Sequence, residues 1–157
     1  MSGTKTAMHR YLALAIFIAL VLGGGTLIGL TVQPDGWYAA LRKPPFNPPN
    51  WVFAPVWSIL YIMIGVAGWL VWQRDWRSRM MASWVAQLAL NFIWTPAFFG
   101  LHAPAAALTI IVALLIVIIT FIVRGWSRDP AAALLFLPYA TWVAFATLLN
   151  AAIVYLN

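Results

Sequence analysis

Long apolar runs almost free of charged residues constrain this chain more than any other feature. The hydrocarbon core of a bilayer is about 30 Å thick, so a helix needs about 20 apolar residues to cross it. Five runs approach or exceed that length, and they cover residues 11–32, 51–72, 80–99, 105–123 and 131–155. The pattern predicts an all-α membrane protein, a bundle of five transmembrane helices in one domain over residues 1–157.

The composition supports a membrane environment. Hydrophobic residues make up 64% of the chain and charged residues 8%, which is more apolar surface than a soluble domain of this size can bury. The runs are continuous rather than alternating, which favours helices over a membrane β-barrel. A signal peptide is the alternative for the first run. That run is too long for one and lacks a clean cleavage site, so we expect a retained helix.

The positive charges predict an orientation. The net charge of +6 does not indicate nucleic-acid binding, because the cations lie at the ends of apolar runs and form no basic face. With five spans, one side of the membrane holds Lys5, Arg10, Arg74, Arg77, Arg79, Arg124 and Arg128. The other side holds only Arg42 and Lys43. The asymmetry predicts a cytoplasmic N-terminus and an outer C-terminus, in a multi-pass protein of a bacterial cell envelope.

A loop rich in proline and aromatic residues, residues 33–50, separates the first two runs. It carries Trp37, the adjacent cations Arg42 and Lys43, and two Pro-Pro pairs. Prolines restrict the backbone, so we expect an ordered lid on the outer side. Arg42 and Lys43 lie where cations can meet ligand carboxylates, and the alternative is that they only mark the membrane boundary.

Conventional catalytic machinery is missing from the sequence. There is no Glu and no Cys, and Asp35, Asp75 and Asp129 fall in loops, whereas proton-coupled transporters need an ionisable group within the membrane. His9 and His102 lie at opposite membrane faces, so they cannot ligate one metal or one haem iron together. We therefore expect no metal site and no obligatory cofactor.

The third run has two distinct faces. Helical spacing places Gln87, Asn91, Trp94, Thr95 and Phe98 on one face. Amides in a membrane need partners, so this face is expected to point inward, where the amides either bond neighbouring helices or contact a ligand. The opposite face carries Ala82 and Ala86, small residues that predict an oligomer contact.

The fifth run repeats this kind of pattern, with Pro138, Trp142, Ala146 and Asn150 on one face. Trp142 lies midway along the run, where an interfacial belt does not explain it, and Ala146 one turn away leaves room beside the indole. The fourth run is aliphatic all round, and we expect it to face lipid.

These features resemble the TspO/MBR family, which comprises the tryptophan-rich sensory proteins and the mitochondrial translocator proteins (peripheral benzodiazepine receptors). The segments that carry the resemblance are 37–49, 86–100, Leu137-Pro138-Tyr139 with Trp142, and Leu149-Asn150. The resemblance implies a five-helix bundle, usually a homodimer, that binds tetrapyrroles such as protoporphyrin IX or haem. It also implies binding of benzodiazepine- or isoquinoline-type drugs.

Where the motifs match, the resemblance implies that functional positions of the family correspond to residues of this chain. Ligand-binding positions correspond to Trp37, Trp51, Asn91, Trp94, Phe98, Trp142 and Ala146. Positions of the family's dimer face correspond to Ala82 and Ala86. The sterol motif of the family needs a basic residue after a C-terminal tyrosine, whereas only Leu156 and Asn157 follow Tyr155. The resemblance therefore does not extend to sterol binding through that motif.

Several functions remain open from the sequence. The leading hypothesis is a tetrapyrrole receptor or regulator in which tryptophans stack on the macrocycle and Arg42 and Lys43 meet its carboxylates. The alternatives are a light- and oxygen-dependent porphyrin-degrading enzyme, a membrane transporter of porphyrins or sterols, and a regulatory scaffold. In the enzyme hypothesis Trp37 and Trp142 are the candidate catalytic residues.

Overall fold

The structure is a computed structural model that describes the backbone of residues 2–157 and the side chains of residues 8–157. The side chain of Lys5, one of the cations used to predict orientation, lies outside that range. The helices are α1 Ser2–Thr31, α2 Gly36–Ala40, α3 Phe53–Asp75, α4 Arg79–Thr95, α5 Pro104–Arg128 and α6 Pro130–Leu156. A 3₁₀ turn, Asn50–Val52, precedes α3, and a π-helical turn, Pro96–Gly100, continues α4.

The five long helices run the length of the bundle in alternating directions. At one end, Arg10 Nε of α1 donates to Gln73 Oε1 of α3 at 2.8 Å, and Arg124 of α5 donates to Ser83 Oγ of α4 at 2.7 Å. We call it the basic end, since its described cations are Arg10, Arg74, Arg77, Arg79, Arg124 and Arg128. The opposite end, called the lid end, holds α2 and the 33–50 loop. There Asn150 Nδ2 of α6 donates to the first carbonyl of α5, Pro104 O, at 2.8 Å.

Within the described part of the chain, four helices are long and apolar enough to cross a membrane. They are Met8–Thr31, Asn50–Asp75, Pro104–Arg128 and Pro130–Leu156. The predicted third span is not among them, because the α-helical part of α4 is 17 residues long, short of the roughly 20 that a crossing requires. The all-helical architecture is confirmed, whereas the count of five spans stays a prediction.

Each aspartate in the chain has a local structural role. Asp35 Oδ1 accepts from Tyr38 N at 3.3 Å at the start of α2, and Asp129 Oδ1 accepts from Ala132 N at 3.2 Å at the start of α6. Asp75 Oδ1 accepts from Arg77 N at 2.9 Å in the α3–α4 turn. Short polar side chains in these positions satisfy amide groups that have no partner within a helix. The aspartates therefore begin helices or stabilise turns at the two ends of the bundle.

The expectation that the fourth run faces lipid is wrong for one side of α5. Ala107, Ile111, Leu114, Ile118 and Phe121 are buried, and α5 packs between α4 and α6. These residues recur every three or four positions, as one face of a helix must. A helix that is apolar all round does not show in its sequence which face is covered by protein.

α1 and α3 approach very closely through glycines. A Cβ atom placed on Gly65 of α3 would lie 2.9 Å from the Ile18 Cα of α1, so only a glycine fits against that backbone. Towards the lid end, Gly25 of α1 lies directly against the Tyr61 ring. Small residues allow this kind of approach between membrane helices, where van der Waals packing is a main source of attraction.

Candidate functional site

A cavity of about 500 Å³ lies between α1, α3, α4 and α6 at the lid end. Aromatic side chains from three of these helices form much of its wall, among them Trp57, Tyr61, Trp94 and Trp142, with Ala146 beside them. Among the described residues that line it, none carries a charged side chain. A concave, largely apolar space of this size is typical of sites for drug-sized ligands.

A hydrogen-bonded network connects this cavity with the middle of the bundle. Tyr139 OH donates to Gln87 Oε1 at 2.8 Å and accepts from Asn91 Nδ2 at 2.9 Å. Asn91 Oδ1 in turn accepts from Tyr61 OH at 3.3 Å, and the Tyr61 ring lines the cavity. Of the two roles that the sequence allows for these amides, the structure shows the bonding between helices. Asn91 is buried behind Tyr61 and does not line the cavity.

Asn150 orients a second wall of the site. Its Oδ1 accepts from Trp94 Nε1 at 3.2 Å while its Nδ2 bonds the start of α5. Trp94 also packs against Phe98, with ring centroids 5.6 Å apart. Phe98 is buried and borders a smaller space of about 40 Å³, which Trp94 and Ala146 also line. The structure thus brings Trp94, Trp142 and Ala146 together around the main cavity, with Phe98 just behind.

Trp37 lies outside the cavity. Its ring stacks on His102 with centroids 4.4 Å apart and meets Phe98 edge-on at 6.0 Å, and it does not line the cavity. The structure therefore does not place Trp37 and Trp142 in one cavity. The residue of α2 that lines the cavity is the next one along the chain, Tyr38, which is 8% exposed. In a helix of five residues, no sequence periodicity distinguishes which neighbour points inward.

Hydrogen bonds hold α2 in place. His102 Nε2 lies 3.0 Å from Asp35 Oδ2, and the backbone of Arg42 exchanges two hydrogen bonds of 3.0 Å with the side-chain amide of Asn157. The Tyr38 N–H is the main cause that lowers the pKa of Asp35, and His102 adds to this effect against the opposing effect of desolvation. The Asp35 carboxylate is consequently ionised at neutral pH, where it can bond both the Tyr38 N–H and the His102 ring.

The two lid cations differ in their surroundings. Lys43 Nζ donates to Tyr38 O at 2.6 Å and to Leu41 O at 3.3 Å, and it lies 4.5 Å from the centre of the Tyr38 ring. The Arg42 side chain is exposed. Neither residue lines the cavity. Lys43 therefore caps the C-terminal end of α2, while Arg42 is exposed at the surface.

The remaining predicted site residues lie on the surface. Trp51 is 75% exposed at the start of the α3 region and does not line the cavity. Ala82 and Ala86 are exposed on the outer face of α4, in a row with Val85, Ala89 and Ile93. The cavity-lining residues that the sequence did not indicate include Trp57, Tyr61 and Gly29. Trp57 and Tyr61 are aromatic residues four positions apart on α3, a spacing that places them on one face.

Comparison with known proteins agrees with this architecture. The family model described as "TspO/MBR family" matches residues 17–156, which include the cavity and all five long helices except the first part of α1. The chain belongs to the TspO/MBR family. The resemblance carried by the Trp37–Pro49 and Ala86–Gly100 segments is thereby confirmed.

Relatives extend from archaea to animals. A tryptophan-rich protein TspO of Archaeoglobus fulgidus is 43% identical over 89% of this chain and 91% of its own. A tryptophan-rich sensory protein of Cereibacter sphaeroides is 35% identical over 91% of this chain and 90% of its own. The human translocator protein is 37% identical over 73% of this chain and 70% of its own. This TspO/MBR chain is a membrane protein with apolar helices long enough to span a bilayer.

Proposed function

We propose that this TspO/MBR protein is an integral membrane receptor or regulator for a planar tetrapyrrole such as protoporphyrin IX or haem. The observation that carries the proposal is the uncharged cavity of about 500 Å³ with tryptophans on several of its walls. Indole rings present large flat faces that stack on an aromatic disc. The same shape and apolar character suit benzodiazepine- and isoquinoline-type drugs.

The carboxylates of a porphyrin belong outside this cavity. An ionised carboxylate is costly to bury without a partner, and the described lining residues provide no cation. The lid end carries Arg42 and Lys43 as the predicted partners. Since Lys43 Nζ already bonds three carbonyls of the lid, those of Tyr38, Ala39 and Leu41, the exposed Arg42 is the better placed of the two cations.

The membrane arrangement that we propose has five spans. The π-helical turn Pro96–Gly100 continues α4 without a break, so residues 79–100 together are long enough for about 30 Å of bilayer. Cations cluster at the basic end of the bundle, which supports a cytoplasmic position for that end and an outer position for the lid.

Titration with protoporphyrin IX tests the receptor proposal. We expect saturable quenching of tryptophan fluorescence in the wild type. Trp142→Ala should raise Kd about tenfold, because it removes one stacking face of the cavity. The matched control is Trp126→Ala, which removes an exposed tryptophan at the basic end. Absence of saturable quenching in the wild type, or equal Kd values for both variants, would contradict the proposal.

We further propose a homodimer that uses the outer face of α4. Exposed small residues there, including Ala82 and Ala86, allow a second helix to approach closely. Ala86→Leu should shift the protein to the monomer without changing porphyrin affinity, as measured by mass photometry and fluorescence titration. Ala19→Leu, on the exposed side of α1, is the matched control. A wild type that is monomeric in nanodiscs at every concentration would refute the dimer.

A further inference from the structure

We propose that ligands enter the cavity sideways from the bilayer, through an opening between α1 and α3, and not from the water beneath α2. This inference rests on the proposed function, since it describes how that site is reached. It identifies the source of the ligand as the lipid phase.

The contact between α1 and α3 changes along the bundle. From the basic end the two helices stay close, through the Arg10–Gln73 hydrogen bond, the Gly65–Ile18 backbone approach and the Gly25–Tyr61 contact. One turn further along α1, a Cβ placed on Gly29 would meet nothing within 4 Å, although Gly29 lines the cavity. At Gly29, therefore, no atom of α3 covers α1 as the Tyr61 ring covers it at Gly25.

Exposure of the lining residues locates the opening. The exposed members are Thr26, Gly29 and Leu30 on α1, Ala54 and Ser58 on α3, and Pro34 and Asn50 in the adjoining loop. The lining residues of α4 and α6, among them Trp94 and Trp142, are only partly exposed. The spacings within α1 and α3 place each set on one face of its helix. The cavity thus opens outward between these two helices, on the side of the bundle that contacts lipid.

The edges of the opening suit passage of an apolar disc. Gly29, Ala54 and Ser58 are among the smallest residues, so their side chains obstruct the opening little. The Ser58 hydroxyl donates to Ala54 O at 2.8 Å, so this polar group is already satisfied where it meets lipid. No described residue of the opening carries a charge, which disfavours entry of an ionised group ahead of the macrocycle.

The route from the water beneath α2 is more obstructed than the opening between α1 and α3. Tyr38 is buried where it reaches the cavity. Lifting α2 would break the His102–Asp35 pair, the Trp37–His102 stack and both hydrogen bonds between Arg42 and Asn157. Sideways entry breaks none of these contacts.

Two reversible cross-links separate the routes, and the natural chain contains no cysteine to interfere. The first joins Gly29→Cys to Ser58→Cys, positions one turn beyond the Gly25–Tyr61 contact, with a bifunctional thiosulfonate that a reductant releases. The second joins Asp35→Cys to His102→Cys in the same way and fastens α2. Each single-cysteine variant, treated with the reagent, is the control. Association and dissociation of protoporphyrin IX are followed by stopped-flow fluorescence in proteoliposomes.

We expect the α1–α3 cross-link to slow both association and dissociation about tenfold or more, with recovery on reduction. The lid cross-link should change either rate by less than about twofold. Slowing of about tenfold by the lid cross-link, or unchanged rates with the α1–α3 cross-link, overturns the inference. Failure of the uncross-linked protein to bind protoporphyrin IX would instead refute the proposed function, so the two failures are distinguishable.

Discussion

Replacing Gly65 by leucine should lower the free energy of unfolding by about 3 kcal/mol, the upper part of the usual range for overpacking. A Cβ at this position would lie 2.9 Å from the Ile18 Cα and 3.1 Å from the Ile18 nitrogen, both of which are backbone atoms. Backbone cannot move aside as a flexible side chain can, so α1 and α3 must separate. The measurement is unfolding in mixed micelles of increasing denaturing-detergent fraction, followed by circular dichroism.

The matched control for this substitution is Gly23→Leu. Gly23 is exposed on α1, and a Cβ there meets nothing within 4 Å, so we expect a change within about 0.5 kcal/mol. Equal unfolding curves for both variants would show that α1 and α3 are not in backbone contact at Gly65. Greater destabilisation by Gly23→Leu would contradict the helix arrangement itself.

Ala146→Phe should raise the Kd for protoporphyrin IX about tenfold or more, a loss of about 1.4 kcal/mol. Ala146 lines both the main cavity and the smaller space behind Trp94, so an added ring occupies volume that the ligand needs. Fluorescence titration measures the affinity, and circular dichroism with thermal unfolding establishes that the variant is folded.

The control is Ala131→Phe, which adds the same ring to an exposed position at the start of α6. We expect its Kd to equal that of the wild type. If Ala146→Phe changes Kd by less than about threefold, the porphyrin binds outside the cavity, and the exposed surface around Trp51 becomes the alternative.

The inward face of α4 shows how far sequence pattern can be used. Gln87, Asn91 and Phe98 are buried as helical spacing predicts, because an amide in a bilayer has to find a partner within the protein. The pattern does not say which partner. Asn91 bonds Tyr139 and Tyr61, which lie 48 and 30 residues away along the chain.

The lid shows a second limit of prediction from the sequence. Its prolines predict an ordered loop, and the hydrogen bonds that Asp35 accepts and that Lys43 and Arg42 donate hold it in place. The family resemblance places Trp37 and Trp142 among the ligand-binding positions, yet Trp37 packs on His102 while Tyr38 lines the cavity with Trp142. A rotation of about 100° per residue separates neighbours on a helix, and only the position of α2 on the bundle sets which of them points inward.

The sequence alone determined the TspO/MBR resemblance, the helical class, and the concentration of cations at one end of the bundle, because these depend on composition, periodicity and local motifs. It did not determine the buried face of α5, the position of Tyr38 in the cavity wall, or the uncovered surface of α1 at Gly29. In a chain that is 64% hydrophobic, polarity distinguishes few faces, so close packing between particular helices decides where the cavity lies and on which side it opens.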